Sequence, residues 1–183
     1  MNRSNIATWG ALLAVSLLTA GCAALGPRHP VGNTAVPQPA KTVDLDRYLG
    51  RWYEIARYEQ AFQKDCDAVT ADYARRADGK ISVINRCVKP DGRSKQAKGR
   101  AKIVEPTTQA KLKVSFFGPF YGNYWVLDRA DDYSWAIVGE PSGRYLWLLA
   151  REAKPAPDTV AGLVARTRAL GYDTEMLRFT RQP

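Results

Sequence analysis

Between residues 50 and 151, apolar and polar side chains alternate in short runs rich in Val, Ile, Tyr, Phe and Trp. A period of two over such runs marks strands with one buried face. The pattern predicts eight strands, at about 52–58, 68–75, 80–87, 97–104, 110–116, 122–128, 133–139 and 144–151. Turn chemistry separates them: ADGK at 77–80, EPTTQ at 105–109, RADD at 129–132 and EPSG at 140–143. The eighth run, YLWLLA at 145–150, is apolar on both faces, as for a strand with the interior on one side and a neighbour on the other. A helical period comes only in PDTVAGLVARTRALGY, where Val160, Leu163, Val164, Thr167 and Leu170 share one side. Pro157 and Asp158 suit its start and Gly171 its end. MLRFT then reads as a last short strand.

Evenly spaced strands with short connections point to an all-β, antiparallel, up-and-down meander. Closure into an eight-stranded barrel removes the free edges and leaves room inside for one small ligand. The single helix then packs outside. Strand parity sorts the connections. Trp52, Asp128 and Arg151 fall at one end, where the turns are tight. The loops EQAFQKDCDA, VKPDGRSKQA, FGPFYG and GEPSG fall at the other, looser end, which is the mouth.

The region before the strands has a different character. Arg3 precedes IATWGALLAVSLLTAGC, a charged start followed by an apolar core and a small-residue exit, which is the form of a secretory signal over residues 1–21. Its end, LTAGC, resembles the bacterial lipobox. That resemblance implies cleavage before Cys22, a diacylglyceryl group on its sulfur and acylation of the new amino terminus, and it places the protein in the outer membrane. Residues 22–43, rich in Pro, Gly and small polar residues, are expected to form a lipidated N-terminus and flexible tether. The globular domain is then 44–183.

Charge and cysteine count follow from that division. The chain carries 27 basic and 18 acidic side chains. Losing Arg3 leaves 26 against 18, a net of +8. Nucleic acid is excluded as a partner by the compartment; lipid phosphates are the anionic partner that remains, beside an ordinary solvated basic surface. With Cys22 acylated, Cys66 and Cys87 are left in an oxidising compartment, where they are expected to pair. They flank the hairpin of the second and third strands with their midpoint close to its turn, so they are expected nearly opposite each other at the mouth, where a bridge pins the rim.

The motifs now assemble into a family pattern. Gly50-x-Trp52, Leu127-Asp128-Arg129 and Arg151, in that order along the strands, resemble the sequence motifs of the lipocalins. YLGRWYEIARY, VTADY, LKVSFFGPFYGNYWVLD and YLWLLAR are similar to the bacterial outer-membrane lipocalins and the apolipoprotein D group. The resemblance implies a closed base plugged by Trp52 and crossed by the Arg151 side chain. It also implies a membrane-anchored module, its domain facing the periplasm, that stores or transports lipids for envelope maintenance.

The domain holds no histidine, since His29 lies in the tether. No metal or cofactor is therefore expected, nor an imidazole base. Glu54 shares parity with Trp52 and reads as a buried, hydrogen-bonded carboxylate or, less simply, as the acid of an enzyme built on this scaffold. The expected ligand is a fatty acid or lysophospholipid. Phe62, Phe116, Phe117, Phe120, Tyr121, Trp125, Tyr145 and Trp147 are candidate cavity and mouth residues. Phe120 and Tyr121, in a mouth loop, fit an entrance, a membrane contact or a homodimer. Lys89, Arg93 and Lys95 are placed to attract a phosphate head group. A membrane-embedded barrel is excluded by strands as charged as KQAKGRAKIV.

Overall fold

In β8 (Leu146–Ala150), Leu146 and Leu148 join one apolar cluster, while Leu149 and the half-buried Trp147 join another. That division runs through the whole domain of the computed structural model, which describes residues 31–183. The signal 1–21, Cys22 and His29 lie outside the described residues.

The strands are β1 (Gly50–Tyr58), β2 (Asp67–Arg75), β3 (Ile81–Val88), β4 (Ser94–Ile103), β5 (Lys111–Phe117), β6 (Phe120–Arg129), β7 (Trp135–Gly139) and β8, with β9 (Leu177–Phe179) at the C-terminus. All pairs are antiparallel in sequence order, and β1 meets β2 to close an eight-stranded barrel. β1 pairs β2 only over Gly50–Tyr53. Nearer the mouth β9 takes that edge, pairing Ala56–Tyr58. The extra strand thus fills a gap that would otherwise leave backbone donors unpaired.

One cluster fills the interior: Trp52, Tyr73, Val83, Leu112, Val126, Val138 and Leu149 are among its members. The other lies between the outer wall and α2 (Pro157–Ala169), where Leu163 meets Leu127, Ile137 and Leu148. Thr167 is buried on the same helix face and donates to Leu163 O at 2.8 Å. Gly171 (φ +89°) ends the helix in the left-handed conformation.

Two features depart from the expectation. A short helix α1 (Leu45–Tyr48), N-capped by the Asp44 side chain, crosses beneath the barrel. The tether expected over 22–43 is corrected for residues 31–43. Asn33, Pro37 and Val43 are buried, and the segment bonds along the outer wall through Thr34 N to Gly171 O, Ala40 N to Leu127 O and Val43 N to Thr108 O. Its Pro and small polar residues lie flat on a wall already built, so composition alone does not separate it from a free linker.

Candidate functional site

The base is built around one tryptophan. Trp52 is fully buried, and its indole N–H donates to Tyr48 O at 2.8 Å. The Arg151 guanidinium lies 3.8 Å from the ring centroid. It also donates to the carbonyls of Arg51 (2.7 Å), Arg47 (2.7 Å) and Leu49 (2.9 Å). One planar cation therefore covers the indole face and satisfies carbonyls left open at the end of α1. Burial lowers its pKa from the usual arginine value. Gly50 has φ +94°, and a Cβ there would meet Arg151 Nη1 at 3.3 Å, so both backbone and space favour glycine. Asp128 sits at the same end but holds other groups: it accepts from Arg166 of α2 at 3.3 Å and lies 4.0 Å from Lys41.

Above the base lies a cavity of about 10 Å³, lined by Tyr48, Leu49, Tyr73, Ile81, Ala101, Leu112, Val114 and Tyr124. That is room for one water and not for an acyl chain. Tyr124 Oη bridges Tyr48 Oη (2.8 Å) and Tyr73 Oη (2.9 Å). Three hydroxyls carry three hydrogens, and these two bonds use two, which leaves one donor over beside an otherwise apolar space. Burial pushes the Tyr73 phenol up to about 12, and pushes those of Tyr48 and Tyr124 well above their ordinary value.

Toward the mouth the interior side of β1 turns polar. A bulge between Glu54 and Ala56 shifts the alternation, so Glu54 and Arg57 share a face. Both are buried, 2.7 Å apart. Arg57 also donates to Cys66 O, Gln63 O, Thr180 Oγ1 and the Glu59 carboxylate. Gln63 donates to Glu54, and its Oε1 accepts from the Trp147 indole at 3.2 Å. Glu54 is thus engaged on every side that an acid would need free. Cys66 and Cys87 form a disulfide with Cα atoms 5.4 Å apart, tying this loop to the end of β3. Asp65 (φ +59°) and Ala68 (φ +49°) flank it in a conformation that costs most residues free energy.

The aromatic candidates divide three ways. Phe116 and Trp147 pack against the interior cluster. Phe117 and Phe120 face solvent at the β5–β6 tip, 81% and 78% exposed, and Phe62 is 58% exposed in the 59–66 loop, 6.1 Å from Tyr145. Tyr145 stacks in turn on Trp147. Tyr121 accepts from Arg100 on the outer wall, which lowers its pKa. Trp125 is corrected as a cavity residue: it shares parity with Leu127 and packs on the outer cluster, with Lys111 over its ring. Lys89 and Lys95 donate to carbonyls of the 59–66 loop, and Arg93 pairs with Asp91.

The tyrosine triad and Arg57 are absent from the sequence-based set. Tyr73 and Tyr124 could have been found from spacing, since each continues a buried alternation, Val69–Ala71–Tyr73 and Tyr124–Val126. Arg57 could not, because neither Gly nor Pro marks the bulge that turns it inward. Among the described residues no group of His, Cys, Asp and Glu converges as a metal site.

The chain is similar to known proteins over nearly all of this structure. A family model described as a lipocalin-like domain matches residues 43–182. Outer membrane lipoprotein Blc of Vibrio cholerae is 39% identical over 174 residues, 93% of this chain and 96% of that one. Apolipoprotein D of Mus musculus is 32% identical over 169 residues, 87% of each chain. Insecticyanin from the tobacco hornworm Manduca sexta superposes with a TM-score of 0.63 at 22% identity, covering 81% of this chain and 85% of that one, a likeness of fold.

Proposed function

This chain belongs to the lipocalin family, and from that premise we propose that it is an outer-membrane lipoprotein whose barrel binds a fatty acid or lysophospholipid. The observation that carries the reading is a barrel sealed at its base by Trp52 and Arg151, with a small apolar space above the seal that only side chains separate from the mouth. Relatives named as outer membrane lipoproteins support the location. Cys22 is the acylation point, the domain faces the periplasm, and the bound lipid is stored or moved for envelope maintenance. Two copies associating as a homodimer are compatible with this role.

Binding in this reading is passive. Each buried methylene contributes about 0.8 kcal/mol, but an acyl chain needs several hundred Å³. The interior must therefore open. The parts that yield are Trp147, Tyr145 and the Gln63 side chain, which cover the space from the mouth, while the disulfide holds the stem of the Gln63 loop. The spare tyrosine hydroxyl gives a ligand or water oxygen one acceptor-seeking partner at depth. A catalytic reading finds less support, because Glu54 is locked to Arg57, and no cofactor enters the account.

The test is titration of the delipidated mature protein with a lysophospholipid, followed by tryptophan emission and native mass spectrometry. Saturable change and one lipid per barrel are expected. No saturable change together with no lipid adduct contradicts the reading.

A further inference from the structure

The described chain begins at the mouth. Val31 N donates to Ser142 O (2.8 Å) in the β7–β8 connection. Gly32 O accepts from the hydroxyl of Tyr58 (2.8 Å), the last residue of β1. Residues 33–43 then descend the outer wall to Thr108 at the closed end. Cys22 precedes Val31 by nine positions, which span at most about 30 Å fully extended. The closed end lies a further strand length away, roughly another 30 Å for strands of this size. An anchor at Cys22 therefore holds the mouth nearest the bilayer.

The surface at that end is unlike the other. Phe117, Phe120 and Phe62 present exposed rings there, while the closed end exposes the aliphatic Ile103 and Val104. Exposed aromatic side chains ringed by cations are the composition of a membrane-interface contact. Cations stand at the same end. Lys64, Lys89 and Arg144 sit in the mouth loops and Lys95 at the mouth end of β4, and among the described residues none of them forms an ion pair. The ammoniums of Lys89 and Lys95 donate to backbone carbonyls of Lys64 and Phe62, so they stiffen the Phe62 loop without losing their charge.

We propose that the open rim docks on the lipid bilayer, with Phe117, Phe120 and Phe62 in the interfacial layer and the loop cations on phosphate head groups. The barrel then stands mouth-down over the leaflet that holds its anchor, and a single chain leaving that leaflet meets the opening directly. The orientation rests on acylation of Cys22; it does not depend on which lipid the barrel accepts.

Hydrogen exchange on the mature acylated protein in vesicles of phosphatidylethanolamine and phosphatidylglycerol, 3:1, tests it. Amides of 59–66 and 117–121 are expected to exchange at least five-fold more slowly in vesicles than in detergent, with 76–80 and 104–110 unchanged. The double variant Phe117→Ser/Phe120→Ser, still anchored, is expected to lose that protection. Protection at the closed end, or equal exchange at both ends, overturns the proposal. So does rim protection that rises with protein concentration in detergent, which assigns the patch to a second copy. Release of the protein from vesicles by a high-salt wash denies the anchor. The lysophospholipid titration is read separately on the wild type, so a failure there overturns the ligand and leaves the docking result standing.

Discussion

Arg151 does two things at once. Its guanidinium lies on the Trp52 ring, a contact worth about 1–2 kcal/mol where partly desolvated, and its donors satisfy carbonyls of α1 and the start of β1. Arg151→Ala removes both and leaves buried carbonyls open. It is expected to lower stability by about 2–4 kcal/mol in urea unfolding followed by tryptophan emission. Arg151→Lys is expected to recover less than half, because an ammonium has neither the planar face nor the fork. A loss below about 0.5 kcal/mol for the alanine variant would show that the base holds without this residue. The pairing of Trp52 with Arg151 was legible from strand parity and family pattern. The reason for Gly50 was not: its positive φ and the nearby guanidinium are properties of the finished base.

At the scale of elements, the tyrosine triad joins α1, β2 and β6 through two hydrogen bonds. In an unfolded chain tyrosine titrates near 10. In the fold Tyr73 and Tyr58 keep their protons to about 12, chiefly because burial disfavours the phenolate. Between those values the folded state holds protons the unfolded state has released, so stability falls as pH rises. The contribution is fully present below about pH 10. Urea midpoints are therefore expected to be flat from pH 7 to 9.5 and to drop steeply from 10 to 12. Phenolate absorbance is expected to rise in two stages, the second coinciding with unfolding. A single stage near pH 10 with the barrel intact contradicts the buried triad. The strands that carry this cluster, and α2 on the outer wall, were readable from period alone, to within a few residues at each end. α1 and the wall-bound segment 31–43 were not. Four helical residues carry too little periodicity, and a Pro-rich stretch docks through backbone bonds to partners roughly a hundred residues away.

The whole molecule is graded along its axis: a sealed base, a small apolar space, a polar network of Glu54, Arg57 and Gln63, then an aromatic and cationic rim. The gradient explains why aromatic residues alone were a poor guide to the cavity. Phe117 and Phe120 share the composition of core residues but stand at a turn, and Trp125 shares a strand with Tyr124 but faces the other way. The central claim is that an acyl chain enters this axis and displaces packed side chains above Tyr124. A lysophospholipid with a photoreactive diazirine at the end of its acyl chain tests it most directly, by mapping crosslinked peptides after saturation binding. Labels are expected on interior positions around Tyr73, Leu112, Val114 and Tyr124, competed away by unlabelled lipid. Labels confined to the outer groove of Thr42–Asp46 and Thr107–Gln109, or none that compete, would contradict it.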